Sequence, residues 1–199
     1  MRIVGGRLRG RKFSAPKGLA TRPTQERVRE ALFNICQQVI EDVSFLDLFA
    51  GSGAVAFEAL SRGAKEAVLV DKSRLAQKAI LKNAVDLGLK ERISFFFGEA
   101  KSWVERFSMQ KREFGLIYLD PPYSTSAEDS FGLELLDLLN GTRLLSPEGQ
   151  LFIEDASRAA SYYPKRLSRL ELVKVRLFGE SALLQYRASS PQMPSLRLN

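Results

Sequence analysis

The stretch "YLDPPYS" (118–124) closes an apolar run with a carboxylate, two prolines and an aromatic ring. Adjacent prolines end a strand or a helix, so this corner is stiff. Asp120 and the carbonyl of Pro121 can each accept one N–H of an exocyclic nucleobase amine. Such an amine is a poor nucleophile because its lone pair is delocalised into the ring. Two acceptors on its N–H groups favour a pyramidal nitrogen whose lone pair is free to attack a methyl donor. Pro121 and Pro122 hold the carbonyl in place beforehand, and Tyr123 can stack on a base swung out of its helix. An isolated corner of this kind is more simply a rigid turn, with Asp120 capping it and Tyr123 covering core. A second constellation upstream changes that reading.

In "DLFAGSGAVAFEAL" (47–60), Phe49 and Ala50 lead into Gly51 and Gly53 at a strand-to-helix corner. Glycine there lets the backbone approach a ligand closely. The third glycine of a dinucleotide fingerprint is replaced by Ala56, which weakens the case for a pyrophosphate. Asp47 would also repel one, but it suits the cationic amino-acid end of S-adenosylmethionine (SAM). Asp71 follows Gly53 by 18 residues, a position suited to the two hydroxyls of a ribose. Glu99, with Ala100 after it, could reach an adenine amino group. Taken singly, the glycines can be a turn and Asp71 a helix cap. In this order and phase they point to a nucleoside-type cofactor.

Such residues need a framework that brings them together. Apolar runs at 45–49, 67–70, 93–97, 114–119 and 150–154 read as strands. Helices are expected at 54–62, from a Ser73 cap to Leu87 with Gly88 as its stop, near 100–108, and at 128–139. An earlier helix runs through "TRPTQERVREALFNICQQVI", with Thr24 as its N-cap and Val28, Leu32, Ile35 and Val39 at three- and four-residue spacing. Continuous apolar strands alternating with helices predict a parallel sheet covered on both faces. In 170–178, Val173, Val175 and Leu177 alternate with Lys174 and Arg176, and Gly179-Glu180 then leads to "SALLQYR" (181–187). These segments predict an antiparallel hairpin at the sheet edge. The carboxyl ends of parallel strands share one crevice, so Gly51, Asp71 and Asp120 are expected in the same cleft.

At 199 residues the chain suits one domain over 1–187, with 188–199 an unstructured tail of prolines and serines. No apolar run approaches the roughly 20 residues needed to cross a bilayer. The basic N-terminus lacks the apolar stretch of a secretory signal. A single cysteine, Cys36, excludes an internal disulfide and fits a reducing cytoplasm. The absence of histidine removes a His base, a Ser-His triad and a His-ligated metal. A cytoplasmic monomer without a metal is expected. The net charge of +7 is confined to one segment: residues 1–22 carry seven basic side chains and no acid, leaving 23 basic against 23 acidic residues elsewhere. This basic arm, punctuated by Gly5-Gly6 and Gly10 like a hairpin, suggests a polyanion, with Arg7, Arg9, Arg11 and Lys12 on phosphates. A solvated basic tail or loose contact with anionic lipid would share that composition.

"DLFAGSGA", "VLVDKS" and "YLDPPY", in this order, resemble the class I SAM-dependent methyltransferases that modify exocyclic amines. "MRIVGGRLRGRKF", "TRPTQERVREALFN" and "FAGSGAVAFEALSRGA" resemble more narrowly the RsmD family, which methylates N2 of a guanine in 16S ribosomal RNA. The resemblance spans residue 1 to about 187. It implies an α/β, Rossmann-like class I methyltransferase fold: a seven-stranded, mostly parallel sheet with an antiparallel C-terminal hairpin, here preceded by the N-terminal basic hairpin arm. It further implies SAM as donor and 16S rRNA or the small ribosomal subunit particle as partner. By family correspondence, Asp47, Gly51 and Gly53 would meet the methionine end, Asp71 the ribose and Glu99 the adenine. Asp120 to Tyr123 would hold the target base, and Arg22 and Thr24 would border the cofactor cleft. Glu99 stands where an Asp is commoner, and Ala56 where a glycine is frequent. The corner tetrapeptide serves adenine N6 as well as guanine N2, so only the whole-chain resemblance selects guanine. A protein-glutamine methyltransferase would carry an asparagine in place of Asp120. A non-catalytic RNA-binding or assembly protein is the alternative of another class, against which the intact acidic and glycine set stands.

Overall fold

The computed structural model describes residues 1–16, 23–36, 39–123 and 126–189. Helix α1 (Pro23–Ile35) opens on a proline, whose fixed φ and missing N–H suit the first helical position. Thr24 therefore lies inside the first turn rather than at the cap. The chain then alternates β1 (Ser44–Asp47), α2 (Ala54–Ser61), β2 (Glu66–Asp71), α3 (Arg74–Asp86), β3 (Ile93–Phe97), α4 (Ala100–Met109), β4 (Phe114–Leu119), α5 (Phe131–Asn140) and β5 (Leu145–Ala156). It closes with β6 (Leu170–Phe178) and β7 (Ser181–Ala188).

The seven strands form one sheet in the order β3-β2-β1-β4-β5-β7-β6. The pairs from β3 through β5 are parallel, and β7 runs antiparallel to both β5 and β6. Strand order reverses direction between β1 and β4, which opens a crevice at their carboxyl ends. One sheet face carries Phe45, Leu69, Tyr118 and Phe152 under α1, α2 and α3. The other carries Leu46, Val68, Ile117 and Ile153 against α4 and α5. Burial on both faces is why these strands read as unbroken apolar runs.

Several boundaries differ from the sequence expectation. β1 stops at Asp47 because the Phe49 amide turns back onto the Asp47 carboxylate at 3.2 Å. α5 starts at Phe131, since the Ser130 hydroxyl accepts the Leu133 amide at 3.2 Å and caps it there. β5 begins at Leu145, with a register shift against β4 between Phe114 and Leu116. The C-terminal hairpin adds to the β5 edge of the parallel sheet, as expected, with β7 beside β5 and β6 outermost. Ala188 still belongs to β7, and the Ser189 amide bonds the Arg169 carbonyl at 2.7 Å. The expected tail beyond it, 190–199, lies outside the described residues.

The basic arm is built into the body. Met1 and Phe13 exchange two bonds, at 3.0 and 3.1 Å, and the Ile3 amide meets the Arg11 carbonyl at 3.0 Å. Ile3 and Phe13 are buried in the core. The Val4 amide donates to Glu58 Oε2 at 2.9 Å. The Ser61 hydroxyl donates to the Gly5 carbonyl at 2.6 Å and accepts from the Leu8 amide at 2.9 Å. Gly6 has φ 70°, and a Cβ there would lie 2.0 Å from the Ser61 carbonyl oxygen, so only glycine allows this approach. Glu58, buried in the middle of α2, also holds Arg62 at 2.8 Å and Arg29 at 4.0 Å. The helical pattern of "AVAFEALS" does not distinguish this buried hub from a surface glutamate.

Candidate active site

Side chains alternate across a strand, so a residue two beyond a core residue returns to the same face. Asp47, Asp71, Asp120 and Glu154 each lie two residues beyond Phe45, Leu69, Tyr118 and Phe152. All four acids therefore emerge on one sheet face at its carboxyl end. Asp47 stands between Leu69 of β2 and Tyr118 of β4. Because Tyr118 pairs with Phe152, Asp120 and Glu154 leave adjacent strands side by side.

Asp47 is 1% exposed, and the Phe49 amide is its hydrogen-bond partner. Burial pushes its carboxyl up to about 7; the Phe49 amide opposes the rise and nearby Asp71 adds to it. A buried carboxylate held by one backbone amide has the chemistry to accept a cation. Beside it, Gly53 precedes α2 with φ 77°, and a Cβ there would come within 2.9 Å of the Phe57 ring. The Gly51 amide donates to Asp71 Oδ2 at 2.7 Å, and the Ser73 amide to Oδ1 at 2.7 Å. Asp71 thus clamps the glycine loop to the end of β2, while Ser73 caps α3 through the Ala76 amide. Phe49 is half-buried, and the buried Ala50 is tied by its amide to the Val70 carbonyl at 3.0 Å. Ala56 is fully buried, its methyl absorbed by core packing.

Glu99 reaches the same rim, because the Gly98 amide bonds the Asp71 carbonyl at 3.1 Å. Its side chain is 57% exposed and pairs with Lys72 at 3.2 Å rather than turning inward. Ala100, the buried first residue of α4, follows it. Across the crevice, Asp120 is half-buried, Pro121 buried, and Pro122 and Tyr123 exposed. The Asp120 carboxyl is pushed well above the usual carboxylate range by burial first, then by Glu154, Asp47 and Asp155. Sequence reasoning missed Glu154, which is buried at the end of β5 and accepts the Tyr118 hydroxyl at 2.7 Å and the Tyr123 hydroxyl at 3.4 Å. A fifth apolar run closing on acids, in step with those followed by Asp71 and Asp120, was the available signal.

Arg7, Arg9, Arg11 and Lys12 are exposed around the hairpin turn. The Arg11 guanidinium donates to the Asp86 carbonyl at 2.9 Å, at the end of α3. α2 and α3 run away from the crevice, so this basic turn lies about a helix length, roughly 10–20 Å, from it. Arg22 and the side chain of Thr24 fall outside the described residues. Among those described, no group of three or more His, Cys, Asp or Glu is placed to hold a metal ion. No helix among them is long and apolar enough to cross a membrane.

The family model described as "Conserved hypothetical protein 95" matches residues 1–187. "Ribosomal RNA small subunit methyltransferase D" of Escherichia coli (strain K12) is 33% identical over 191 residues, covering 94% of this chain and 89% of that protein. The protein of the same description from Haemophilus influenzae is 29% identical, over 77% of this chain and 78% of its own. The solved structure of yhhF from Escherichia coli superposes with a TM-score of 0.81 at 30% identity, over 96% of this chain and 98% of that one. The chain belongs to the "Conserved hypothetical protein 95" family.

Proposed function

We propose that this member of the family transfers a methyl group from SAM to the exocyclic N2 of a guanine in 16S ribosomal RNA, as free RNA or within the small-subunit particle. The observation that carries the reading is the meeting, on one sheet face, of a buried cation-seeking Asp47 with the Asp120–Tyr123 corner. The relatives described as small-subunit ribosomal RNA methyltransferases support the substrate, and guanine N2 rests on the resemblance to the RsmD family.

The residues fit SAM. Asp47 offers its carboxylate to an ammonium, and Phe49, Ala50, Gly51 and Gly53 let a ligand lie close against backbone. Asp71 keeps lone pairs for ribose hydroxyls beyond the two amides it already accepts. Glu99 and Ala100 lie at the adenine end. Bound there, SAM supplies an electrophilic methyl group carried on a cationic sulfur. Asp120 and the Pro121 carbonyl accept the amine N–H groups, Tyr123 stacks on the base, and Pro122 keeps the corner rigid. Asp120 must be ionised to do this. A cation bound beside Asp47 and Asp120 favours that form, offsetting the acids that raise its proton affinity. Asp120 is then the nearest acceptor for the proton that the amine loses, directly or through water. Arg7, Arg9, Arg11 and Lys12 contact phosphates at a distance from the target base, fixing register rather than chemistry. Residues 1–187 act as one catalytic domain, a monomer in the cytoplasm.

The test is transfer of tritium from labelled SAM to unmodified small-subunit particles, naked rRNA and DNA, followed by nucleoside analysis. N2-methylguanosine is expected. Label in N6-methyladenine would overturn the base, and no label in any nucleic acid while SAM binds would overturn the activity.

A further inference from the structure

We propose that Glu154 is a positioning residue of the amine-binding corner, holding Tyr123 and Tyr118 by their hydroxyls so that Asp120 and the Tyr123 ring face one base. The inference rests on the proposed methyl transfer but concerns a residue outside the motif.

Glu154 is 2% exposed and reaches three elements. On β4, the Tyr118 hydroxyl donates to its Oε2 at 2.7 Å, a diagonal reach across paired strands. From the loop after β4, the Tyr123 hydroxyl approaches Oε1 at 3.4 Å and shares a 2.5 Å hydrogen bond with the Ser181 hydroxyl. Ser181, the first residue of β7, faces Glu154 as well. The antiparallel insertion of β7 delivers that serine to the crevice end of the sheet; a parallel strand would place its first residue at the opposite end. The two tyrosine hydroxyls of the corner are thus tied to a single buried carboxylate, and Ser181 braces Tyr123 from β7. Tyr123 itself is 38% exposed, and its ring follows two consecutive prolines. Its hydroxyl contacts are what fix the outer end of that ring.

The titratable groups facing Glu154 are Tyr118 from β4, Asp120 just after it and Tyr123 from the loop, with the Ser181 hydroxyl from β7. Glu154 contributes to raising Asp120, and burial raises Glu154 in turn. Two neighbouring carboxyls of this kind share protons as a pair. Removing the Glu154 charge lowers the proton affinity of Asp120, so the form that accepts the amine persists to lower pH.

Two variants separate reach from charge. Glu154→Gln keeps the side-chain length and removes the charge. Glu154→Asp keeps the charge and withdraws it from the tyrosines. With rRNA as substrate, Glu154→Asp is expected to lower kcat/KM roughly 10²-fold, as a misplacement of about 1 Å can, with the acid limb of the pH–rate profile unmoved. Glu154→Gln is expected to lose less and to move that limb to lower pH. Both should bind SAM with wild-type affinity by calorimetry. Wild-type kcat/KM in Glu154→Asp, or an unmoved acid limb in Glu154→Gln, would overturn the inference while methyl transfer stands. An activity-free arm is spectrophotometric tyrosine titration of Glu154→Gln and of Glu154→Gln/Tyr123→Phe, each against its Glu154 parent. Burial first, and the Glu154 charge as well, raise Tyr123, so the Tyr123 transition should fall to lower pH in Glu154→Gln; if it does not move, the contact fails whatever the substrate.

Discussion

Replacing Asp47 with Asn sets the stability of the fold against its function. Burial lifts the Asp47 carboxyl from an ordinary 3.8 to about 7. The folded state therefore binds a proton that the unfolded state has already lost, between those two values. The sign follows directly: Asp47 costs stability as pH rises through this window, and the whole cost is present above about pH 7. A gap of about three units corresponds to about 4 kcal/mol, of which about two units, or about 2.7 kcal/mol, fall between pH 5 and pH 7. Asn keeps an oxygen for the Phe49 amide and cannot ionise. Urea denaturation at pH 5 and pH 8 should show the stability advantage of Asp47→Asn growing by about 2–3 kcal/mol across that interval. Calorimetry at pH 8 should show SAM binding lost or strongly weakened. Parallel stability profiles for the two proteins would refute the claim that Asp47 is an uncompensated buried acid. Retained SAM affinity would refute its role as the cation receptor.

Other consequences can be measured alongside. Asp120→Ala should lower methyl transfer by at least about 10²-fold while SAM binding by calorimetry changes little; equal loss of both would make Asp120 a support of the pocket. Replacing Arg7, Arg9 and Arg11 together with Ala should weaken rRNA binding and reduce the slope of log affinity against log salt by about two; filter binding across a salt series would show an unchanged slope if the hairpin does not meet phosphates. Glu58→Ala strands Arg29 and Arg62 and the Val4 amide. It should cost about 3–5 kcal/mol by urea unfolding, and expose residues 1–13 to proteolysis.

The sequence by itself determined much of the framework, because local physics sufficed. Ile93–Phe97, Phe114–Leu119 and Leu170–Phe178 have the bounds that their apolar runs predict, and Ser73 caps α3 as its residue type requires. Asp71 and Asp120 stood out because each follows an apolar run with a charge, and Asp47 because it puts a charge inside one. Gly51 and Gly53 stood out because glycines at a strand-to-helix corner let backbone approach a ligand, and both take positive φ there.

Only the tertiary structure decided the rest, since it depends on which distant segments touch. Glu154 is one of two consecutive acids at the end of β5, and nothing in its neighbours tells which of them faces Asp120. The answer comes from sheet register and the alternation of sides. Ser181 joins the site only because β7 inserts antiparallel beside β5. The basic arm reads as a hairpin from its glycines and charge, but only the structure shows where it docks: Glu58, Ser61 and Asn83 fasten it through bonds spanning more than 50 residues of sequence. Glu99 follows β3 directly, as the apolar run ending at Phe97 requires, but its pairing with Lys72 depends on side-chain direction at the surface. Strand ends, caps and turns are short-range properties that residue types encode. Which carboxylates share a cleft, and which amides they satisfy, is settled by long-range packing.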